Sequence, residues 1–405
     1  MRVDLGPEIE EFRGEVRDWI EANRPEEMGE LDERAMFAGG RGLGGRLGEQ
    51  YQKWVGKLRE GGWLCVSWPT EYGGRDLSPV QLAVLNEEFA KASLPRVTMG
   101  MGESLVGPAI IVHGTEEQKK HFLPRIIAGQ DRYCQGFSEP NAGSDLASVQ
   151  TKGQIDGDEI VVTGQKIWTS GASMANMIFT LVRTNPEVPK HDGISYVLIP
   201  MKDNNIEIRP IKQMSGASGF FETFFDGARA PLFNVIGGIN GGWKSAMTTL
   251  GNERGGSATT QHLRYEREMW RLIELSKKIG KNTDPRIRQD LAWAYTQVQL
   301  MRYSGLRTLA TLASRKEIGP EASVNKLFWS EYHKRLGEVA VNLLGPSAIA
   351  TEEGDPFGST RWRGTLLQSR AGTIFSGTSE IQKKIIGERA LGLPKEPGLD
   401  REESN

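Results

Sequence analysis

Cysteine and histidine are scarce in this sequence, and neither has the spacing of a disulfide framework or a metal site. The two cysteines, Cys65 and Cys134, lie far apart, and the five histidines form no HExxH or other ligand spacing. A disulfide framework and a metal site are therefore not predicted. A GxSxG elbow and a Walker loop are also missing, so hydrolase and nucleoside-triphosphatase chemistry lack support.

Charge excess and long apolar runs are missing too. The 50 Lys and Arg residues nearly balance the 52 Asp and Glu residues, and the formal net charge is −2. A nucleic-acid-binding protein usually carries a clear basic excess, so that class is disfavoured. No apolar run reaches the roughly 18 residues of a membrane span, and the acidic, helical start resembles no signal or transit peptide. We therefore expect a cytoplasmic protein without a membrane span.

Glycine, by contrast, is abundant, with 49 residues. Gly40, Gly42 and Gly45 match the G-x-G-x-x-G fingerprint of dinucleotide-binding proteins. That fingerprint needs a strand before it and a helix that opens at its third glycine. The preceding residues, ELDERAMFA, have no strand pattern. We therefore interpret these glycines as a loop.

The hydrophobic period divides the chain into three stretches and a tail. Residues 1–130 follow a helical period, residues 131–238 the alternation of β-strands, and residues 239–394 a helical period again. Residues 395–405 form a polar tail. Because helices, then strands, then helices follow one another, the sequence predicts an α+β protein rather than an alternating α/β protein.

Local signals place several helices within these stretches. Thr115 and Gln118 are spaced as a capping box, which predicts a helix start. A shorter helix is predicted to follow Thr378. Long helices are predicted over three further ranges, 242–280, 284–314 and 322–344.

One segment is hard to interpret as scaffold. The run GFSEPNAGSDLASVQT, from Gly136 to Thr151, packs small residues into a turn at the start of the β stretch. Exposed backbone N–H groups in such a turn can let a phosphate or a flat ring approach closely. From the residues alone, a ligand loop and a tight structural turn are equally supported.

This segment resembles the first flavin-contacting loop of the acyl-CoA dehydrogenase family. Three further segments resemble a second flavin-contacting strand, the C-terminal signature and the N-terminal domain of that family: GQKIWTSGASMANMIFTLVRT, FSGTSEIQKKIIGERALGLP and SWPTEYGGRDLSPVQ. The resemblance runs from about residue 5 to residue 394. It implies an N-terminal helical domain, a middle β-barrel-like or sandwich domain and a C-terminal four-helix bundle. It also implies FAD, held between the β domain and the bundle.

The resemblance assigns residues to the flavin. Phe137 and Ser138 match positions that line the isoalloxazine ring, and Trp168 matches a residue that stacks beside it. Ser144 matches a position that contacts both FAD and the CoA arm. The cofactor-binding set implied by the resemblance is Phe137, Ser138, Ser144, Trp168, Thr169, Ser170, Thr378, Ser379 and Glu380.

The resemblance also assigns the catalytic base. The family desaturates acyl-CoA thioesters: a carboxylate takes the α-proton as hydride leaves the β-carbon for flavin N5. Many members carry that Glu at the position of Ser376, which cannot act as a base. A minority carry it directly before an Arg on the first long C-terminal helix, where Glu253 and Arg254 stand here. The resemblance therefore makes Glu253 the base. Ser144, Arg254 and the backbone N–H of Ser376 would bind the acyl-CoA substrate.

Two family segments that hold FAD across subunits are missing. SKKIGKNTDPRIR stands in place of Arg-x-x-Phe-Gly, and the run from Asn342 to Pro346 in place of Gln-x-x-Gly-Gly. FAD would then be held differently, more weakly or with another chain. Gly255 and Gly256 follow the base and cost a helix roughly 1 kcal/mol each, which favours space for a bulky acyl group. Such departures resemble a bacterial sub-branch that acts on CoA thioesters of steroid side chains, with some heteromeric members.

Three functions remain open at this point. The first is an FAD-dependent acyl-CoA dehydrogenase that passes electrons to an electron-transfer flavoprotein. The second is a flavin oxidase or monooxygenase on the same fold. The third is a non-catalytic partner subunit of a heteromeric acyl-CoA dehydrogenase. In each case we expect a homo- or hetero-oligomer, a dimer or tetramer, without nucleic acid.

Overall fold

A computed structural model describes residues 5–25, 45–255, 259–314, 319–320, 322–349, 355 and 357–395 of the chain. Gly40, Gly42, Gly256 and the tail beyond residue 395 lie outside these residues. The chain forms two compact units, Met1–Glu253 and Arg254–Asn405. The finer division into three domains stays a prediction.

The first unit opens with helices, as the period predicts. The described helices are α1 (Pro7–Asn23), α2 (Gly45–Glu60), α3 (Pro79–Lys91), α4 (Gly107–His113) and α5 (Glu116–Ile127). The predicted capping box is present at α5, where Thr115 accepts from the Gln118 N–H and the Gln118 side chain accepts from the Thr115 N–H. Such reciprocal bonds satisfy donors that a helix start leaves unpaired.

A single eight-stranded sheet follows. Its strands are β1 (Tyr133–Gly136), β2 (Lys152–Asp156), β3 (Glu159–Ser170), β4 (Met177–Arg183), β5 (Ile194–Pro200), β6 (Ile206–Ile211), β7 (Phe220–Pro231) and β8 (Val235–Ile236). Their order is β6-β7-β3-β2-β4-β5-β8, and β1 pairs with β4. Strand β6 has no fully buried position, but Ile206 and Ile208 alternate with exposed polar residues and pack, half-buried, against the core of the sheet.

Both faces of the sheet are buried. On β4, Phe179 faces a core shared with α4 and α5. The next residue, Thr180, and its neighbours Ile178 and Val182 point to the opposite face, where Ile178 and Val182 pack with Phe225 of β7. Strands β5 and β7 contact each other although they are not neighbours in the strand order. The sheet therefore curls back on itself, and the middle of the chain is sandwich-like, as predicted.

The last helices confirm two of the three predicted long helices and contradict the third. They are α6 (Gly242–Gly255), α7 (Gln261–Lys278), α8 (Pro285–Ala313), α9 (Ala322–Leu344), α10 (Ser359–Gly372) and α11 (Ser379–Ile385). The predictions for α8 and α9 are confirmed. The single helix predicted over 242–280 is wrong, because α6 ends at Gly255 and α7 begins at Gln261. A glycine pair is a natural place for a helix to stop, since glycine loses the most backbone entropy in a helix.

Four of these helices form the core of the second unit. Leu272 of α7, Val298 of α8, Leu336 of α9 and Trp362 of α10 are buried in one cluster, which is the expected four-helix bundle. Helix α10 was not predicted from the sequence. Its other buried residues are small, Ser359, Ser369 and Gly372, so it shows no apolar stripe.

Candidate functional site

The loop after β1 carries the first group of predicted flavin contacts. Phe137 is buried, and its ring stands edge-to-face against Phe179 and Tyr196, with centroids 5.6 and 5.9 Å away. Ser138 is half-buried, and its carbonyl accepts a hydrogen bond of 2.9 Å from the Ile167 N–H. The loop is thus tied directly to the strand that carries the second group.

That strand is bulged at the predicted contact residues. The pairing of β3 with β7 shifts register between Lys166 and Thr169. Within the bulge Trp168 has φ 61° and remains 55% exposed, and its ring meets only the edge of Phe220, at 6.2 Å between centroids. A bulky residue in the left-handed region is a genuine outlier, and strain of this kind concentrates at ligand sites.

The two residues after Trp168, Thr169 and Ser170, differ in how far they are exposed. The Thr169 side chain is fully buried, and its hydroxyl accepts a 3.0 Å hydrogen bond from Thr223. The Thr169 hydroxyl is therefore engaged inside the sheet and is not exposed to an outside ligand. Ser170 is half-buried at the end of the strand. An exposed aromatic face beside half-exposed hydroxyls of Ser138 and Ser170 suits a flat ring with a polar edge, such as a flavin.

Ser144 lies farther along the same loop. It is exposed, like Gly143 before it and Asp145 after it. The Asp145 carboxylate accepts a hydrogen bond from the Ser148 hydroxyl, which lowers the pKa of Asp145. The tip of the loop is therefore structured by its own side chains while Ser144 stays accessible.

One charged pair beneath the loop was not singled out by the sequence. Lys166 is completely buried, and its Nζ lies 2.7 Å from Glu139 Oε1. A lysine within a strand usually points to solvent, so this pair is not expected from the sequence alone.

In the second unit, the predicted residues share one turn before α11. Ser376 has φ 54° and Gly377 has φ 90°. Thr378 is the N-cap of α11, and its hydroxyl accepts from the Ile381 N–H at 3.2 Å. Ser379 is buried and donates its hydroxyl to Glu331 at 2.7 Å, whereas Glu380 is exposed.

Two further side chains donate hydrogen bonds to the backbone of the turn at Ser376 and Gly377. Lys326 Nζ donates to the Gly377 carbonyl at 2.5 Å, and the Gln382 amide donates to the Ser376 carbonyl at 3.1 Å. Both side chains are buried. Burial lowers the pKa of Lys326, while Glu331 and Glu380 oppose that shift. The sequence did not reveal either residue as part of the site.

The predicted base is only partly described. The backbone of Glu253 and Arg254 belongs to the last turn of α6, but their side chains lie outside the described residues. Among the described residues no three His, Cys, Asp or Glu side chains are grouped to hold a metal ion. In the described parts of the chain no helix is long and apolar enough to cross a membrane.

Three family models match the chain in consecutive order. They are the N-terminal domain of acyl-CoA dehydrogenases at residues 6–130, the middle domain at 134–227 and the C-terminal domain at 240–391. The matches cover most of the chain.

Individual proteins are similar over nearly the full length. The chain is 40% identical to acyl-CoA dehydrogenase IpdE1 of Mycobacterium tuberculosis, over 96% of this chain and 99% of that protein. It is 41% identical to IpdE1 of Mycolicibacterium smegmatis, with the same coverage. The solved Tcur3481-Tcur3483 steroid ACAD matches with a TM-score of 0.80 and 32% identity, over 98% and 100% of the two chains. The ChsE4-ChsE5 complex from Mycobacterium tuberculosis matches with a TM-score of 0.79 and 29% identity, over the same shares.

Proposed function

This chain belongs to the acyl-CoA dehydrogenase family, and from that premise we propose that it binds FAD and desaturates an acyl-CoA thioester to the trans-2-enoyl-CoA. The family makes it an oxidoreductase and a flavoprotein. The observation that carries the proposal is Trp168, a strained and exposed indole within the segment that resembles the flavin-contacting strand. Bound FAD supplies the acceptor for the hydride that leaves the substrate.

The flavin-binding residues are part of the proposal. Phe137, Ser138 and Trp168 are assigned to the isoalloxazine ring, and the half-buried positions of Ser138 and Ser170 support hydroxyl contacts to its polar edge. Thr169 belongs to the proposed set through the resemblance alone, since the residue is fully buried and its hydroxyl is bonded to Thr223. In the second unit, the proposed FAD contacts are Thr378, Ser379 and Glu380.

The proposed proton chemistry rests on Glu253. Its carboxylate takes the α-proton of the thioester. The backbone of Glu253 lies in the last turn of α6, which ends at Gly255. The carbonyl of the thioester needs a donor so that its α-proton becomes acidic. We assign that donation to the backbone N–H of Ser376. Ser144 and Arg254 are assigned to the substrate, Arg254 as a cation for the anionic CoA arm.

The proposed substrate class is a CoA thioester with a bulky acyl group, such as a steroid side chain. The 32% identity to a steroid ACAD over nearly the whole chain supports it. Two of the similar structures are named for pairs of proteins, which supports assembly with a second copy or a different subunit into a dimer or tetramer. We propose an electron-transfer flavoprotein as acceptor and the cytoplasm as location.

A second candidate is a subunit that assembles with a catalytic partner without turning over substrate itself. The departures around Asp284 and Asn342 favour it. Asp284 caps α8 by accepting from the Arg286 N–H at 2.8 Å, so this stretch serves as a helix start instead of the family's FAD-binding segment. Glu253 and Arg254, which match the family's alternative position of the base, argue for the catalytic alternative.

The visible spectrum of the purified protein tests the proposal. We expect bound FAD, extracted and identified by mass, whose oxidised bands bleach anaerobically on addition of a steroid-side-chain acyl-CoA. Straight-chain C4 to C8 thioesters should bleach it more slowly, and faster bleaching by them would overturn the substrate class. Flavin that no acyl-CoA reduces would favour the partner-subunit role. Stoichiometric oxygen consumption with substrate would instead indicate an oxidase.

A further inference from the structure

The strongest unexplained feature outside the assigned contacts is the buried ion pair of Glu139 and Lys166. Lys166 is 0% exposed and Glu139 is 9% exposed. Removing two charges from water costs several kcal/mol per ion, and replacing a buried pair with apolar residues is often neutral or stabilising. A contribution to stability is therefore a weak explanation for this buried pair. Its position beside the predicted flavin contacts suggests a role in placing them.

Lys166 reaches the first flavin segment at two points. Its Nζ donates to Glu139 Oε1 at 2.7 Å and to the carbonyl of Phe137 at 3.1 Å. Lys166 itself is the last regular residue of β3 before the bulge that carries Trp168. One ammonium group thus fixes the start of the loop against the start of the bulge.

Glu139 extends the connection to the far end of the same loop. Its Oε1 also accepts from the Thr151 N–H at 2.9 Å, and its Oε2 accepts from the Gln150 N–H at 2.7 Å. Charge-assisted hydrogen bonds of this length are about twice as strong as neutral ones. The Glu139 carboxylate therefore links the start of the loop to residues 150 and 151 at its end.

Arg183 on β4 supports the intervening segment. Its Nη2 donates to the Ala147 carbonyl at 2.6 Å and its Nε to the Val149 carbonyl at 3.3 Å. Burial lowers the pKa of Lys166 to about 8, against the opposing pull of Glu139. The pKa of Glu139 is lowered, because Lys166 and the loop hydrogen bonds outweigh the effect of its burial. Both groups of the pair are charged at neutral pH.

We infer that Glu139 and Lys166 are positioning residues for the flavin: the pair sets the spacing between the loop of Phe137 and Ser138 and the bulge of Trp168. The inference rests on the proposed function. Neither charged group needs to touch the flavin. Their effect is transmitted by the Phe137 carbonyl and by the Ile167 to Ser138 hydrogen bond that lies beside the pair.

Two variants test the pair in the full chain, purified with any subunit that accompanies it. Lys166→Met with Glu139→Gln removes both charges and still leaves an oxygen for one loop N–H. Glu139→Asp keeps both charges but shortens the acid by one methylene. Because the loop and the bulge would lose their fixed spacing, we expect FAD to bind roughly ten- to a hundredfold more weakly in each variant, a loss of about 1.4–2.8 kcal/mol in binding free energy. The flavin bands should shift, and hydrogen exchange at Gln150 and Thr151 should accelerate.

A matched control lies in the same sheet. Arg229 and Glu159 form an exposed pair at 2.7 Å between β7 and β3, and Arg229→Met with Glu159→Gln should leave FAD affinity and spectrum unchanged. Folded variants of the buried pair that bind FAD with wild-type affinity and band shape would overturn the inference. If the double variant does not fold, Glu139→Asp decides by the same measurements. A wild-type protein that takes up no FAD would overturn the proposed function, which is a distinct result.

Discussion

Lys326 holds the turn of Gly377 by a hydrogen bond of 2.5 Å from its ammonium group to the Gly377 carbonyl. Gly377 has φ 90°, a backbone conformation that glycine adopts without steric cost. An added Cβ would also collide with the Gln382 side chain. The turn that presents Ser376 and Thr378 is therefore shaped by one buried cation and one glycine.

We predict that Lys326→Met loosens this turn. A hydrogen bond from a charged group contributes about 1.5–3 kcal/mol, so the free energy of unfolding should fall by about that amount. Turnover should fall as well, because the Ser376 N–H loses its fixed direction. Lys334→Met is the control, since Lys334 pairs with Glu331 at 3.5 Å from a more exposed position. Wild-type turnover in Lys326→Met would contradict the role of the turn.

The strained conformation of Trp168 predicts that a substitution at this residue changes the FAD affinity much more than the free energy of unfolding. Trp168→Gly should bind FAD more weakly, yet its free energy of unfolding should stay within about 1 kcal/mol of wild type. Relief of the left-handed conformation, about 1–2 kcal/mol, offsets the lost contact with Phe220, about 0.5–1.5 kcal/mol. Denaturant unfolding and FAD titration measure the two quantities. Trp168→Phe keeps an aromatic ring and should retain more of the FAD affinity than Trp168→Gly; equal affinity of all three proteins would refute the flavin contact.

The assignment of Glu253 as the base predicts that its replacement stops flavin reduction by substrate but leaves FAD bound. Glu253→Gln should retain bound FAD and its spectrum, but substrate should no longer bleach the flavin, because an amide cannot accept the α-proton. General acid–base groups commonly contribute about 10²–10⁴-fold to a rate, and stopped-flow bleaching can follow a fall of that size. Glu274→Gln, at an exposed helix position paired with Lys277 at 2.7 Å, is the control and should bleach normally. Unchanged bleaching in Glu253→Gln would require a different base.

Glu88 predicts how the first unit responds to acid. This carboxylate on α3 is 4% exposed and accepts hydrogen bonds from Lys91 at 2.7 Å and Arg13 at 2.8 Å. Burial would raise the pKa of Glu88, but these bonds outweigh it and lower the pKa below its ordinary value of 4.5. Its stabilisation is therefore complete above about pH 4.5 and is lost as the pH falls through the lowered pKa.

Glu88→Gln should accordingly destabilise the protein by about 2–4 kcal/mol at pH 7 and by progressively less as the pH falls from 4.5 through the lowered pKa of Glu88. Denaturant unfolding of both proteins across this pH range gives the difference directly. Glu10→Gln removes an exposed partner of the same Arg13, at 3.2 Å, and should cost less than about 1 kcal/mol throughout this range. A penalty for Glu88→Gln that does not depend on pH would show that packing, not charge, sets the role of Glu88.

The sequence by itself determined the order of elements and several helix starts. The capping box at Thr115 and the N-cap at Thr378 depend on residues three positions apart, so their physics is local. The motif segments also identified the family without any tertiary information. The break between α6 and α7 was missed, although its glycines were visible, because a helical period on both sides concealed it.

Only the tertiary structure decided how the residues around Trp168 are presented. In a regular strand Lys166 and Trp168 would share one face, since side chains alternate with a period of two. The bulge opposite Phe221 breaks that alternation, so Lys166 is fully buried while Trp168 is 55% exposed. A bulge depends on the pairing of β3 with β7, which are far apart in sequence. The local sequence names the candidate residues, and the long-range pairing decides which of them is exposed to solvent.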